Sequence, residues 1–597
     1  MRGIAGTIAP DLASDAQQSV ARMLAASLSD YTSVTLLPNA ALGPDAHFTA
    51  DRSVALVWDG SLANARELRT ALAGAGFRIH SPDPAELLLT GWRAWGARGL
   101  AERLRGAFAL AFFETGPRRL TLIRDRLGLR RLAYVAQPRQ VSFCTSVRGL
   151  RLSWPGAGLA RDLDPAGVAR FLDSGWVPDD HTIYHDVRKV PAGTIVEISA
   201  SGVQTDAYWR MPRPERQARF DFETSAAIAE RLLLEAVQAR LESPSPVAAL
   251  LGVGIESSLL GWALAQLQAR IPIYRVASAD EDAHETAAAQ DLMRRLGLRQ
   301  EVLWIAANEE PRVAEVAEAY DEPYAAPGAF QMLRVGRAVR RQAGVVLTGD
   351  GVEWPFLGSP LHLRCWQMQR LLGDLDIADL PVTAGLRDLL GLPSAYLRPG
   401  ALAGRFFGPR LRAWRAEQAQ PPEPSGSASR LLADFLAYDR SATFDRDRAG
   451  MAGAAQFFGV EVRSPFLDDA LWDFVTRLPY DLRLQGGRSR AILRELARFR
   501  VSGSLAGRQK AHPSAQVRHL LATRWHPALE EVLNDSYLVG EGWIDAAAIW
   551  GEFEAVGRRK QASRTLWHFF ILEYWLRRAA TQPLRTGRAA VAVASGD

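Results

Sequence analysis

Two glycine-bearing turns carry the residues best suited to chemistry. Leu251-Gly252-Val253-Gly254-Ile255-Glu256-Ser257-Ser258 follows an apolar run and opens a helical pattern. Such a turn presents backbone N–H groups and a helix N-terminus to an anion, and the hydroxyls of Ser257 and Ser258 add donors. A plain strand-to-helix connection reads the same way. Leu347-Thr348-Gly349-Asp350-Gly351-Val352-Glu353 ends a second apolar run and carries two acids. In an open parallel sheet the ligand crevice lies at the carboxyl ends of the strands. Glu256 on one turn and Asp350 and Glu353 on the other could therefore face one crevice. Carboxylates that converge beside a phosphate site usually need a divalent metal between them.

Tyr320-Asp321-Glu322-Pro323 sets adjacent carboxylates before a proline, which also describes a helix stop with solvated acids. Arg488, Arg490 and Arg494, then Arg508 and Lys510, supply cations. Near a phosphate crevice they could stabilise charge on a leaving pyrophosphate. Taken singly, each also suits a solvated basic face.

The elements around these residues change character along the chain. In the first 150 residues the pattern predicts a strand over Ser53–Trp58 ending in the turn pair Asp59-Gly60. It predicts helices over Asn64–Ala75 and Asp83–Trp95, and paired strands at Ala107–Phe113 and Arg119–Ile123. Short strands with few long crossovers indicate an α+β, largely antiparallel sandwich. Arg210-Met211-Pro212-Arg213-Pro214 reads as a linker, with the boundary near residue 215. Beyond it, strands at Pro246–Leu251, Ile271–Ala277, Glu301–Ile305 and Val345–Leu347 alternate with helices over Ser225–Leu241, Ser257–Ala269 and His284–Leu296. That spacing predicts a parallel sheet with helices on both faces. After residue 360 the chain reads as mostly helical. Gln420–Ser429 reads as a loop or insert, and residues 581–597 as a flexible tail.

Composition excludes several classes. The 597 residues are 48% hydrophobic and 23% charged, which is ordinary for globular chains and excludes a mostly disordered one. A net charge of +5, with no dense basic block, gives little support for nucleic-acid binding. Two cysteines, Cys144 and Cys365, exclude a disulfide scaffold and a cysteine-rich zinc site. No apolar run approaches the length of a bilayer span, and no signal-peptide pattern opens the sequence. The expected location is the cytoplasm.

Taken together the motifs resemble the asparagine synthetase family over nearly the whole chain. Asp59-Gly60-Ser61-Leu62-Ala63-Asn64 with Glu67-Leu68-Arg69 is similar to the family's N-G-x-x-x-N…E-L-R segment. Trp95-Gly96, Leu104–Ala109, Arg124-Asp125-Arg126-Leu127-Gly128, Val190-Pro191-Ala192-Gly193 and Tyr208-Trp209 continue the match. The resemblance implies a glutaminase-like sandwich over residues 1–210. It also implies an α/β ATP pyrophosphatase domain of the adenine nucleotide α-hydrolase type, with added helices, over 215–580.

The departures are informative. Glutamine-hydrolysing members begin M-C-G-I and use that cysteine as nucleophile, whereas Arg2 stands here. The family's S-G-G-x-D-S turn becomes Gly252-Val253-Gly254-Ile255-Glu256-Ser257. Its S-G-E-G-x-D-E turn becomes Thr348-Gly349-Asp350-Gly351-Val352-Glu353-Trp354. Both presumed magnesium carboxylates are thus one methylene longer. Arg490 replaces a lysine, keeping charge but not ready deprotonation.

The resemblance assigns ATP to Gly252, Val253, Gly254, Ile255, Glu256, Ser257, Ser258 and Gly349, with Mg2+ at Glu256 and Glu353. It assigns catalysis to Asp350, Lys510, Arg490 and Glu322. The missing cysteine and the Gly459–Phe466 segment look most like lasso-peptide macrocyclases. These join an Asp or Glu side chain of a precursor peptide to its N-terminal amine, and work with a leader peptidase and a leader-recognition protein. β-Lactam synthetases usually carry Tyr at the Asp350 position. A small-molecule amide synthetase, and a non-catalytic partner protein with a decayed ATP site, remain as alternatives.

Overall fold

The computed structural model describes residues 3–9, 16–26, 33–153, 162–178, 181–215, 217, 219–243, 245–278, 283–305, 313–326, 328–372, 403–417, 431–501, 514–559 and 562–581. Lys510, the Gln420–Ser429 segment and nearly all of the tail lie outside them. The chain divides into two units. One comprises Met1–Asp164, Asp179–Met211 and Leu576–Asp597; the other comprises Pro165–Pro178 and Pro212–Trp575.

The described residues of the first unit hold twelve strands: β1 (Ala5–Ile8), β2 (Thr35–Leu37), β3 (Ala40–Gly43), β4 (His47–Phe48), β5 (Val54–Leu62), β6 (Gly106–Glu114), β7 (Arg119–Arg124), β8 (Ala133–Gln137), β9 (Gln140–Cys144), β10 (Arg188–Lys189), β11 (Thr194–Ser199) and β12 (Gly202–Ala207). They form two six-stranded sheets, ordered β10-β8-β9-β1-β3-β2 and β12-β11-β7-β6-β5-β4. Every pairing in them is antiparallel.

Alternation along the strands builds the layers, because successive side chains point to opposite faces. Ala55, Val57, Ala109 and Ala111 join Ile4, Leu42 and Phe143 of the other sheet in one core. Val54, Leu56, Leu110 and Phe112 face the other way, onto Leu68, Leu72, Leu87 and Leu88 of the helices Ala65–Gly74 and Pro84–Arg103. The helices Ala16–Ala26 and Val147–Ser153 cover the first sheet. The result is a sandwich of two sheets between helices.

Two expectations change here. Asp59-Gly60 is not a turn, since β5 runs on to Leu62 with Asp59 opposite Ala109 and Gly60 opposite Phe108. The partner strand continues, and a complete ladder outweighs a local turn preference. The helix expected to end at Trp95 continues to Arg103 across a break at Gly96.

The second unit carries a parallel sheet of β13 (Val247–Leu250), β14 (Ile273–Ser278), β15 (Glu301–Ile305), β16 (Val345–Leu347) and β17 (Glu461–Arg463), ordered β15-β14-β13-β16-β17. The sequence reading missed β17, because Glu461-Val462-Arg463 is three residues long and charged at both ends. Its register is set by β16: Thr348 N–H donates to the Arg463 carbonyl and Glu461 N–H to that of Gly344.

Both faces are covered. Ala249 and Leu347 pack with Leu233 and Val237 of Phe222–Leu241, Leu259 and Ala263 of Ile255–Gln266, and Leu493 of Ala491–Arg500. Ala248 and Val346 pack on the opposite face with Val339 of Ala329–Val339 and Ala455 of Asp445–Phe457. Several tryptophans serve this unit's core: Trp472 and Trp567 are fully buried, and Trp354 stacks on Trp472 at 5.6 Å. Among the described residues no helix is long and apolar enough to cross a membrane.

Candidate active site

The strand order of the second unit locates its crevice. Chain order reverses between β13 and β16, so the connections leaving their carboxyl ends diverge and leave a gap. The two glycine turns of the sequence are those connections. Residues 251–254 leave β13 and lead into the helix Ile255–Gln266; residues 348–353 leave β16.

The turns touch back to back at Gly349. A Cβ there would come within 2.8 Å of the Glu256 Cβ and 3.2 Å of the Ser257 nitrogen. Only glycine allows this approach without displacing a neighbour. The second turn is held from β17 by Ser464, whose Oγ donates to the Asp350 carbonyl at 2.5 Å. The first is held by Gln300, whose Nε2 donates to the Leu251 carbonyl at 3.0 Å.

The assigned residues fall into groups. Val253 and Ile255 are buried, so only their backbone can serve a ligand. Gly254 caps the helix without a side-chain bond, which leaves first-turn N–H groups for an anion. Ser257 is partly exposed and its hydroxyl has no partner among the described residues. Ser258 departs from expectation: it is fully buried and its Oγ donates to the Gly254 carbonyl at 2.8 Å. Its hydroxyl is spent on the helix and offers no donor to a phosphate. Asp350 is exposed, with no side-chain partner among the described residues.

Glu256, Glu353 and Arg490 meet. Arg490 Nη1 donates to Glu256 Oε1 at 2.5 Å and Nη2 to Glu353 Oε1. The Glu256 side chain is 11% exposed, that of Arg490 20% and that of Glu353 52%, so the Arg490–Glu256 half is the desolvated one. Arg490 sits at φ +57°, ψ 37° as the residue before the helix Ala491–Arg500. That left-handed region is uncommon for a residue with a side chain. Arg494 adds positive charge beside it; burial, then Arg490 and Arg488, pull its pKa below the usual arginine value.

This arrangement differs from the magnesium site assigned from the sequence. The guanidinium already takes an oxygen of each carboxylate, whereas Mg2+ demands oxygen ligands at about 2.0–2.1 Å in near-octahedral geometry. The residues present do not fit a divalent ion between Glu256 and Glu353.

Glu322 is partly exposed in the segment after the helix Val313–Ala319. Tyr320 stacks on Tyr324 at 4.3 Å, and Tyr324 Oη donates to the Arg446 carbonyl, tying that segment to the helix Asp445–Phe457. Sequence reasoning did not single out Gly358, which abuts the Arg490–Glu353 pair. No local signal marks it.

In the first unit the Arg124-Asp125 motif is structural. Buried Arg124 donates to the carbonyls of Arg130, Val190 and Gly128. Asp125 accepts from the N–H groups of Phe108, Leu129 and Arg130. Together they fix the loop after β7. Cys144 is buried in β9, opposite Ala5, with its thiol against the Met23 carbonyl; Cys365 is also buried. Burial pushes the Cys365 thiol up to about 12, so it carries no thiolate near neutrality.

An antiparallel double-sheet unit followed by a parallel sheet with a glycine turn at its switch point is the plan of an amidotransferase-like domain joined to a nucleotide-dependent ligase. Residues 229–577 match the family model described as asparagine synthase, and residues 33–209 match that of a glutamine amidotransferase domain. The chain belongs to the asparagine synthase family and is an ATP-dependent amide-forming ligase. It is similar to asparagine synthetase [glutamine-hydrolyzing] 1 of Bacillus subtilis, at 21% identity over 81% of this chain and 79% of that protein. It is 24% identical to a putative asparagine synthetase [glutamine-hydrolyzing] of Mycobacterium tuberculosis, over 88% of this chain and 84% of that one. It is 26% identical to amidase chyE of Penicillium rubens, over 52% and 48%.

Proposed function

We infer that the protein is an ATP-dependent peptide macrocyclase of the lasso-peptide kind. One observation carries the reading: the residue before Gly3-Ile4 is Arg2, and both cysteines are buried. Without a thiolate to release ammonia from glutamine, the nitrogen comes from another source, and in this reading it arrives on the substrate as an amine.

The reaction follows from that. An Asp or Glu side-chain carboxylate of a precursor peptide attacks the α-phosphorus of ATP bound at Gly252–Ser257. The bond to the β-phosphate breaks and pyrophosphate leaves, its charge opposed by Arg490 and Lys510. The peptide's N-terminal amine attacks the mixed anhydride. The acyl C–O bond breaks, AMP leaves, and an isopeptide ring forms. Asp350 accepts the amine proton as general base. Glu322 is a further catalytic residue of this reading. Proximity is the main contribution of the protein, since the peptide must be held folded while the ring closes. A leader peptidase and a leader-recognition protein would supply the trimmed substrate.

A small-molecule amide synthetase is the second reading, favoured by relatives named as asparagine synthetases. Exchange of labelled pyrophosphate into ATP separates the two. Exchange that depends on a peptide bearing an internal Asp or Glu and a free N-terminus supports macrocyclisation. Exchange that depends on free aspartate transfers the activity to the second reading.

A further inference from the structure

Three of the residues in which the ATP domain's charged motifs depart from the family pattern are Glu256 and Glu353, each in place of aspartate, and Arg490, in place of lysine; Asp350 and Trp354 are others. They lie 97 or more positions apart in the chain (256 to 353, then 353 to 490) and form one cluster in the fold. Their side chains touch, so unrelated changes would leave them mismatched. Two lengthened carboxylates and a lengthened, forked cation instead complement one another.

We propose that Arg490 is the built-in countercation of the Glu256–Glu353 pair. It takes the place of a divalent ion there, and a nucleoside triphosphate binds this turn without a metal bridging to those carboxylates. The second half rests on the ATP reading above; the first does not.

Several features show that the cluster is built. Arginine stays charged at any physiological pH and spans two carboxylates with separate nitrogens, which lysine cannot do. Its backbone is held in the left-handed region while its carbonyl still accepts the first bond of the next helix, from Arg494 N–H at 2.9 Å. Gly358 leaves only the room the pair needs. A Cβ there would collide with the Glu353 carboxylate and come within 2.7 Å of Arg490 Nε. A divalent ion placed in the same gap would face the guanidinium as a like charge and compete for oxygens already bonded. The guanidinium edge can instead be shared with phosphate oxygens.

The test is a count of bound Mn2+ by electron paramagnetic resonance on the full chain, with wild type, Arg490→Met, Glu256→Gln and the double variant. Arg490→Met is expected to bind an additional ion over wild type, and the double variant to return to the wild-type count. A wild-type ion that Glu256→Gln removes would overturn the proposal. If Arg490→Met does not fold, the comparison of wild type with Glu256→Gln still decides, equal counts supporting and a lost ion refuting. ATP affinity of the wild type should differ by less than about threefold between magnesium and excess EDTA, whereas a loss of about tenfold or more in EDTA would refute the metal-free mode. Failure to bind ATP in either buffer would reject the ATP reading, and with it the nucleotide half of this proposal, while the ion count would still judge Arg490.

Discussion

Gly252 and Gly349 belong to neighbouring turns, yet adding one methyl group should affect them oppositely. At Gly349 the new Cβ would lie 2.8 Å from the Glu256 Cβ and 3.1 Å from its carbonyl carbon. Both contacts are to atoms fixed in the first turn of a helix, so the turns must separate. Overpacking of this kind costs about 1–3 kcal/mol. Restricting the unfolded chain returns about 0.4–1 kcal/mol. Gly349→Ala should therefore lower stability by roughly 1–2 kcal/mol. At Gly252 the nearest atom would be Ser257 Oγ at 3.8 Å, an ordinary contact, and the backbone is not left-handed. Gly252→Ala should leave stability unchanged or raise it by up to about 1 kcal/mol. The methyl would instead occupy the open side of the turn, where a phosphate must approach the backbone. ATP affinity should then fall by at least about tenfold, or roughly 1.4 kcal/mol. Urea denaturation measures the first effect and calorimetric titration with ATP the second. Gly252→Ala binding ATP as wild type does would remove this turn from the nucleotide site. Gly349→Ala as stable as wild type would refute the contact argument.

Other perturbations have equally definite expectations. His568 is buried against the Leu172 carbonyl, and burial, then Arg564, pushes its pKa down to about 3. The unfolded chain takes that proton near pH 6.5, so between about 6.5 and 3 the unfolded state binds more protons. This contribution to stability is complete above that window and falls with falling pH, by at most about 1.4 kcal/mol per unit. Acid denaturation of His568→Asn should lack that slope; an unchanged slope would contradict the assignment. Arg124→Met would strand two buried carbonyls and a part-buried one of the first unit and should destabilise it by about 3 kcal/mol or more, read by thermal unfolding. The wild-type protein should release no glutamate from glutamine in a coupled assay, and measurable release would return the first unit to catalysis.

Much of this molecule was readable from local pattern. Apolar runs and turn residues marked four of the five strands described in the parallel sheet, but only three of the twelve described in the first unit. The βαβ spacing after residue 245 predicted a parallel sheet, and both glycine turns fall at strand ends, where that sheet needs them. Pattern failed where long-range pairing outweighed local preference. Asp59-Gly60 has every feature of a turn but is carried through a strand by the ladder to β6. Glu461–Arg463 has the composition of a surface segment but is a strand because β16 offers it an edge.

The sequence alone determined the chemistry available: the absence of a cysteine before Gly3-Ile4, acids and glycines on two turns, and cations further on. Those are covalent facts, and folding cannot alter them. Tertiary structure decided which groups meet and which are spent. It turned the Ser258 hydroxyl inward to a helix carbonyl, made Arg124 and Asp125 a loop clasp, and set Arg490 between Glu256 and Glu353. A charge's role depends on the charges within a few ångströms of it. For residues more than two hundred positions apart, such as Glu256 and Arg490 (|i−j| = 234), only the packing of the helix Ala491–Arg500 against the helix Ile255–Gln266 sets that distance.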